Sequence, residues 1–254
     1  MASLEIYNST ATDFTTFISN LSDFVCTNNF MTLTGDTALS DIKDANGNKI
    51  GIDISSTTYS IKFFKFANFC NNESTDTNYC LLVYGGTDVI HCVPACTTAA
   101  FYSDENKVFT KLTYSGNSSI YSNFRAMKYS TDNIKFLSLG NPNESITLST
   151  HVFKSIDDPT NTKTVLIITD KDGYVSFYDS YTPYPWHVEN TYHNGNNIGH
   201  TSSINAYKLA IKGYYCDNLY YFDGAYSMPG EGVSTIGGIK FLKLGDSNLF
   251  IKME

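Results

Sequence analysis

The chain has 254 residues, 42% of them hydrophobic and only 17% charged, with a formal net charge of −8 and a single arginine, Arg125. That length buries a core without staples and makes one large or two small domains. Without clustered Lys and Arg the chain lacks the counterion-displacing surface that nucleic-acid binding requires, and its clean apolar run at 165–168 is far short of the ~20 residues of a membrane-spanning helix.

The N-terminus, MASLEIYNST, has no basic segment leading into an apolar stretch, so no signal peptide is expected. Synthesis in a cytoplasm follows, with reduced thiols at Cys26, Cys70, Cys80, Cys92, Cys96 and Cys216. The first periodic stretch is TATDFTTFISNLSDFVCTNN. There Phe14, Phe17, Ile18, Leu21, Phe24 and Val25 recur at three- and four-residue spacing, which predicts an amphipathic helix. Thr10 or Thr12 would cap it and Asn28-Asn29 would stop it.

Beyond the helix the pattern alternates. NKIGIDI follows an Asn46-Gly47 turn, a strong hairpin signal. TTYSIKFFKF comes next, then NYCLLVYGG and DVIHCV, with Gly85-Gly86 read as the turn between them. KVFTKLTY, NIKFLSL and SITLSTHVF continue the alternation, and KTVLIITDKDGYVSFYDS reads as a hairpin turning at Asp172-Gly173. A loop with little pattern occupies 181–199. Three short strands close the chain at 233–236, 239–244 and 248–252, joined by Gly237-Gly238 and Gly245-Asp246-Ser247. In the last strand Leu249 and Ile251 should face the core and Phe250 and Lys252 the other way. The pattern leaves open whether they lie beside Phe241 and Lys243 or beside Leu242 and Leu244.

Many short strands with turns every 8–12 residues predict a mainly β fold, an antiparallel sandwich or barrel-like sheets with one N-terminal helix. The 19 Tyr and 17 Phe suit pleated, half-buried surfaces. A boundary would fall near 98–106 or within 181–199; the first separates a helix-plus-β domain, 1–100, from a β domain, 101–254, that ends in a meander.

Three constellations bear on chemistry. His91, Cys92 and Cys96 form H-C-x3-C, which with Cys70 and Cys80 could supply a tetrahedral zinc site, but the spacing departs from the usual paired short gaps. A small buried thiol pair at a strand end is the favoured reading, and no metal and no cofactor is expected. His187, His193 and His200, with Glu189 nearby, match no H-E-x-x-H face and read as an Asn/Gly-rich surface loop. Tyr181, Tyr184, Trp186 and Tyr192 share that loop and are its candidate binding residues. Their rings could take a sugar or a partner protein, or Pro183 and Pro185 could pin them to the core as an anchor. G-x-S-x-G, Walker and Rossmann patterns are missing, so no enzyme is expected.

The segment NLYYFDGAYSMPGEGVSTIGGIKFLKLGDSNLFIKME resembles the C-terminal ends of many bacteriophage structural proteins from Gram-positive hosts. Those ends run from a strand through an aromatic-Asp-Gly turn and a Pro/Gly stretch to a "GG.KF" strand, "LG.SNL" and a short last strand. LTGDTALSDIKDANGNKIGIDI, after the helix, is more loosely similar to the same group. The resemblance covers about the last 40 residues and, loosely, the first 65. It implies a virion component of the tail, baseplate or an attached fibre, with a collar or capsid-decorating role as another place. Its partners would be copies of itself and other virion proteins. Two alternatives stay open: a carbohydrate- or receptor-binding module taking a host surface glycan, and a hydrolase of cell-wall material using the histidine loop.

Overall fold

The computed structural model describes residues 3–34, 43–44, 60–66, 79–86, 89–96, 112–115, 120–141, 144–169, 171, 173, 175–179, 185–186, 192–193, 205–211, 213–223, 232–245 and 247–253. Its elements in chain order begin with β1 (Ser3–Asn8), α1 (Phe14–Cys26), β2 (Met31–Thr34), β3 (Lys43–Asp44), β4 (Ser60–Phe66), β5 (Tyr79–Gly86), β6 (Val89–Cys96) and β7 (Leu112–Ser115). They continue with β8 (Arg125–Ser130), β9 (Ile134–Asn141), β10 (Glu144–Ser155), β11 (Thr162–Thr169), β12 (Val175–Asp179), β13 (Pro185–Trp186) and β14 (Tyr192–His193). The last are β15 (Asn205–Ile211), β16 (Tyr214–Asp223), β17 (Val233–Ile236), β18 (Ile239–Lys243) and β19 (Leu249–Lys252). The fold is mainly β, a curled antiparallel half-barrel with one short helix near the N-terminus, as the alternation predicts. No helix among the described residues is long and apolar enough to cross a membrane.

The helix cap lies one residue beyond Thr12 and three beyond Thr10. Asp13 is the cap: its carboxylate accepts from Thr16 N at 2.9 Å and from Thr16 Oγ1 at 2.8 Å. This satisfies a backbone donor that the first turn leaves free. The stop lies where expected, since Asn28 and Asn29 take φ of 58° and 54°, a region asparagine tolerates. Phe14, Phe17, Ile18, Leu21 and Val25 are buried, and Phe17 meets Phe124 edge-on at 4.8 Å between ring centres.

Two sheets form. The smaller runs β2-β4-β5-β6-β3, with β7 added to β6. Here Gly85-Gly86 are not the turn; both lie in β5, opposite Ile90 and Val89. Glycine is required at 85 by proximity, because a Cβ there would fall 2.1 Å from Val89 O and 2.9 Å from the Phe14 ring. The Asn46-Gly47 turn lies outside the described residues.

The larger sheet has 13 strands, with a path β1-β8-β9-β10-β16-β19-β18-β17. It branches at β10. Residues 144–151 of β10 pair with β9, while 147–154 pair with β11 on the other edge. Lys154 and Ser155 then pair with Tyr215 and Tyr214, so β16 takes up the edge that β9 has left. Asp217 of β16 ties the branch together, accepting from Lys154 at 2.7 Å and from Lys208 of β15 at 3.0 Å. The hairpin read from KTVLIITDKDGYVSFYDS is β11–β12, and Gly173 in its turn has φ of 81°.

β8 to β11 are covered on both faces. Ala126, Leu137, Leu139, Ile146, Leu148, Leu166 and Ile168 pack with α1 and with Leu81, Val83, Ile90 and Cys92 of the small sheet. Met127, Tyr129, Phe136, Phe153, Val165 and Ile167 point the other way. They pack with Leu209, Cys216 and Leu219 and with the closing strands through Leu242, Leu244, Leu249 and Ile251. In the closing meander Leu242 lies opposite Ile251 and Lys243 opposite Phe250, which settles the open register in favour of Leu242 and Leu244 as neighbours of the core-facing pair. The other face of β19 is buried as well: Phe250 packs with Phe222, Phe241, Tyr220 and Ile236.

Candidate functional site

SITLSTHVF alternates apolar with polar residues, and in a half-exposed strand the polar set would face water. In β10 that set faces the second core instead. Ser149 and His151 are two apart and therefore point the same way. His151 Nε2 lies 2.9 Å from Ser149 Oγ, and Cys216 Sγ of β16 lies 4.0 Å from His151 Nδ1. All three side chains are buried.

A cysteine, a histidine and a hydroxyl in a row have the order of a nucleophile, a base and an orienting group. The electrostatics run against that use. Burial pushes the His151 imidazole down to about 3 and the Cys216 thiol up to about 12. Near neutrality the ring is uncharged and the sulfur is a thiol, whereas the thiolate is the nucleophile. Cys216 is also closed off from solvent, at 2% exposed. The row is a polar seam that joins β10 to β16 in the core. Neither His151 nor Cys216 stands out in the sequence. The only signal is the Ser-x-His spacing within an alternating strand.

One step along β10 lies a row of hydroxyls. Thr147 is opposite Ser138 of β9 and opposite Thr169 of β11. Thr147 Oγ1 and Thr169 Oγ1 are buried and have no hydrogen-bond partner among the described residues. Gly245, at φ of 53°, lies over them; a Cβ there would come within 3.2 Å of Thr169 Cγ2. A buried hydroxyl with no partner loses its hydration without replacement. Thr169→Val keeps the shape and removes that penalty, so it should stabilise the fold by about 1 kcal/mol. Urea denaturation of the two proteins measures this, and a destabilised variant would show that the hydroxyl is held.

The H-C-x3-C residues are not brought together. His91 and Cys92 are neighbours in β6 and point to opposite faces. Cys92 is buried in the first core, where burial pushes its thiol far above the ordinary range. Cys96 pairs with Tyr79 and Lys43 at the far end of the strand. Four residues of extended chain separate Cys92 from Cys96 by about 13 Å, too far for bonds of about 2.3 Å to one ion. Among the described residues no three His, Cys, Asp or Glu side chains are grouped as a metal site.

Of the aromatic residues in the 181–199 loop, Trp186 lies opposite Phe177 in β13 and Tyr192 opposite Leu209 in β14. β13 extends the β12 branch of the sheet and β14 the β15 branch. His193 is opposite Lys208. Tyr181, Tyr184, His187, Glu189 and His200 lie outside the described residues. Comparison with family models, curated proteins and solved structures finds no match to this chain.

Proposed function

We propose that the chain is a structural component of a bacteriophage virion, of its tail, baseplate or an attached fibre, and that it assembles with copies of itself. The observation that carries the assembly part lies at the ends of the large sheet. Its path begins at β1 and finishes at β17. Four large apolar side chains among the described residues are exposed, and three belong to these two strands: Leu4, Ile6 and Val233, with Ile156 the fourth. Sheet edges that must stay single are normally blunted by charge, proline or bulges; apolar residues there favour association. The virion part is supported by the resemblance of the closing segment to phage structural proteins.

Two measurements test the reading. Light scattering of the purified chain should give a mass of two or more copies. Mass spectrometry of purified particles, from cells in which the gene is expressed with its neighbours, should find the chain in stoichiometric amount. A monomer absent from particles would overturn the proposal.

A further inference from the structure

We propose that two copies of this chain pair through β1, antiparallel about a two-fold axis, with Ile6 of each copy opposite Ile6 of the other. A second copy as the occupant rests on the assembly reading above; the geometry of the edge is independent of it.

The backbone groups that face outward follow from one hydrogen bond. Ser9 N donates to Phe124 O at 2.9 Å. That contact continues the register of β1 on β8, in which Tyr7 lies opposite Ala126, Glu5 opposite Lys128 and Ser3 opposite Ser130. In an antiparallel ladder bonded pairs alternate with non-bonded ones. The odd residues of β1 therefore direct their N–H and C=O groups at β8. Leu4, Ile6 and Asn8 direct theirs away from the sheet, and among the described residues β1 pairs only with β8.

The side chains have the same division. Glu5 and Tyr7 face the helix and are held there: Glu5 Oε2 lies 3.1 Å from Lys128 Nζ, and the Tyr7 ring stacks on Phe24 at 5.6 Å. Lys128 is fixed in turn by donating to Phe24 O at 2.9 Å. Leu4 and Ile6 are on the opposite face, 37% and 48% exposed, beside the buried Tyr129 and Met127. The apolar face of the second core thus runs out to an exposed edge. The strand has no lysine, no proline and no bulge, and its one charge, Glu5, is paired with Lys128 of the neighbouring strand.

The strand is self-complementary in one register. With Ile6 opposite Ile6, Leu4 lies opposite Asn8 in both halves, and the outward groups of all three residues form about six backbone hydrogen bonds. Glu5 then lies opposite Tyr7. Shifting so that Leu4 meets Ile6 would put Glu5 opposite Glu5, and like charges directly opposite destabilise a pair. The pairing also meets the repulsion between two chains of net charge −8, because it brings them together along a strand whose only carboxylate is neutralised. The result joins two 13-stranded sheets into one.

The test combines hydrogen exchange of the unmodified chain with sedimentation equilibrium of Ile6→Lys, Leu4→Lys and, as a control at the other edge, Val233→Lys. The amides of Leu4, Ile6 and Asn8 should be protected at high concentration and exchange freely on dilution. Ile6→Lys should lower the mass to that of a smaller species with an unchanged far-UV spectrum, and Val233→Lys should not. If Ile6→Lys fails to fold, Leu4→Lys and the exchange data read the same edge. An oligomer that survives both β1 variants with those amides unprotected would overturn the pairing and leave the assembly reading standing. Dissociation by Val233→Lys alone would move the contact to β17. A wild-type chain that is monomeric at every concentration would overturn both.

Discussion

Removal of residues 247–254 should give insoluble or unfolded protein, whereas removal of residues 1–4 should leave a soluble, folded chain. The deleted C-terminal strand, β19, is an interior strand. It pairs with β16 through Leu219–Ile251, Tyr220–Phe250 and Tyr221–Leu249, and with β18 through Leu242–Ile251 and Lys243–Phe250. Leu249 and Ile251 enter the second core, and Phe250 lies 4.2 Å from the Phe222 ring centre on the other side. Burying each such side chain stabilises by roughly 1.5–3 kcal/mol, so the three contribute about 5–9 kcal/mol, comparable to the ~5–15 kcal/mol stability of a whole domain. The turn before it goes too, in which Ser247 Oγ donates to Leu244 O at 2.6 Å and accepts from Leu249 N at 3.1 Å. Among the described residues β17 and β18 join the sheet path only through β19, so both would be cut loose and new apolar edges would open. Cutting residues 1–4 only shortens the edge strand β1. Solubility and thermal melting of the two truncations decide the matter; a C-terminal truncation that melts like the full chain would mean that β19 contributes little.

Acidification should unfold the protein through His151. The ring's ordinary value is 6.5 and burial lowers it to about 3. Between those two values the unfolded chain holds a proton that the folded chain excludes. Folded stability is then fully present above about 6.5 and is lost as the pH falls, by about 1.4 kcal/mol for each pH unit. Between pH 6.5 and 4.5 the loss from this one group is about 2–3 kcal/mol. His151→Gln keeps a hydrogen-bonding partner for Ser149 and cannot take up the proton. It should be the less stable protein at pH 7, and its disadvantage should shrink at that slope on acidification. Denaturant titrations of both proteins at several pH values give the difference directly, with other titrating groups cancelling. Parallel stability curves would show that His151 is hydrated or already partnered in its charged form.

The helix α1 and the β11–β12 and β17–β19 turns were legible because each depends on neighbours in the chain. Phe14, Phe17, Ile18, Leu21 and Val25 form one helical stripe wherever the helix packs. Gly237 and Gly238, at φ of 58° and 82°, form a tight turn whatever sheet receives it. Three features were hidden. β1 is a lone strand at a sheet edge, with its partner β8 more than 100 residues away, and SLEIYN announces no turn beside it. Gly85-Gly86 looks like a turn and is a strand end, because Phe14 and Val89 leave no room for a Cβ at 85.

The third hidden feature separates the two kinds of information most clearly. Alternation in SITLSTHVF determined that β10 is a strand and which residues share a face. It could not determine that both faces are covered, because periodicity records only the difference between the faces and not what packs on each. The tertiary structure decided that Thr147, Ser149 and His151 point into a core closed by β16 and β19. Local patterns of hydrophobicity and turn residues thus determined the mainly β class, the helix and the closing meander. The branch at β10, the buried polar seam and the open edge of β1 were decided by contacts between residues far apart in the chain, whose energies no short segment encodes.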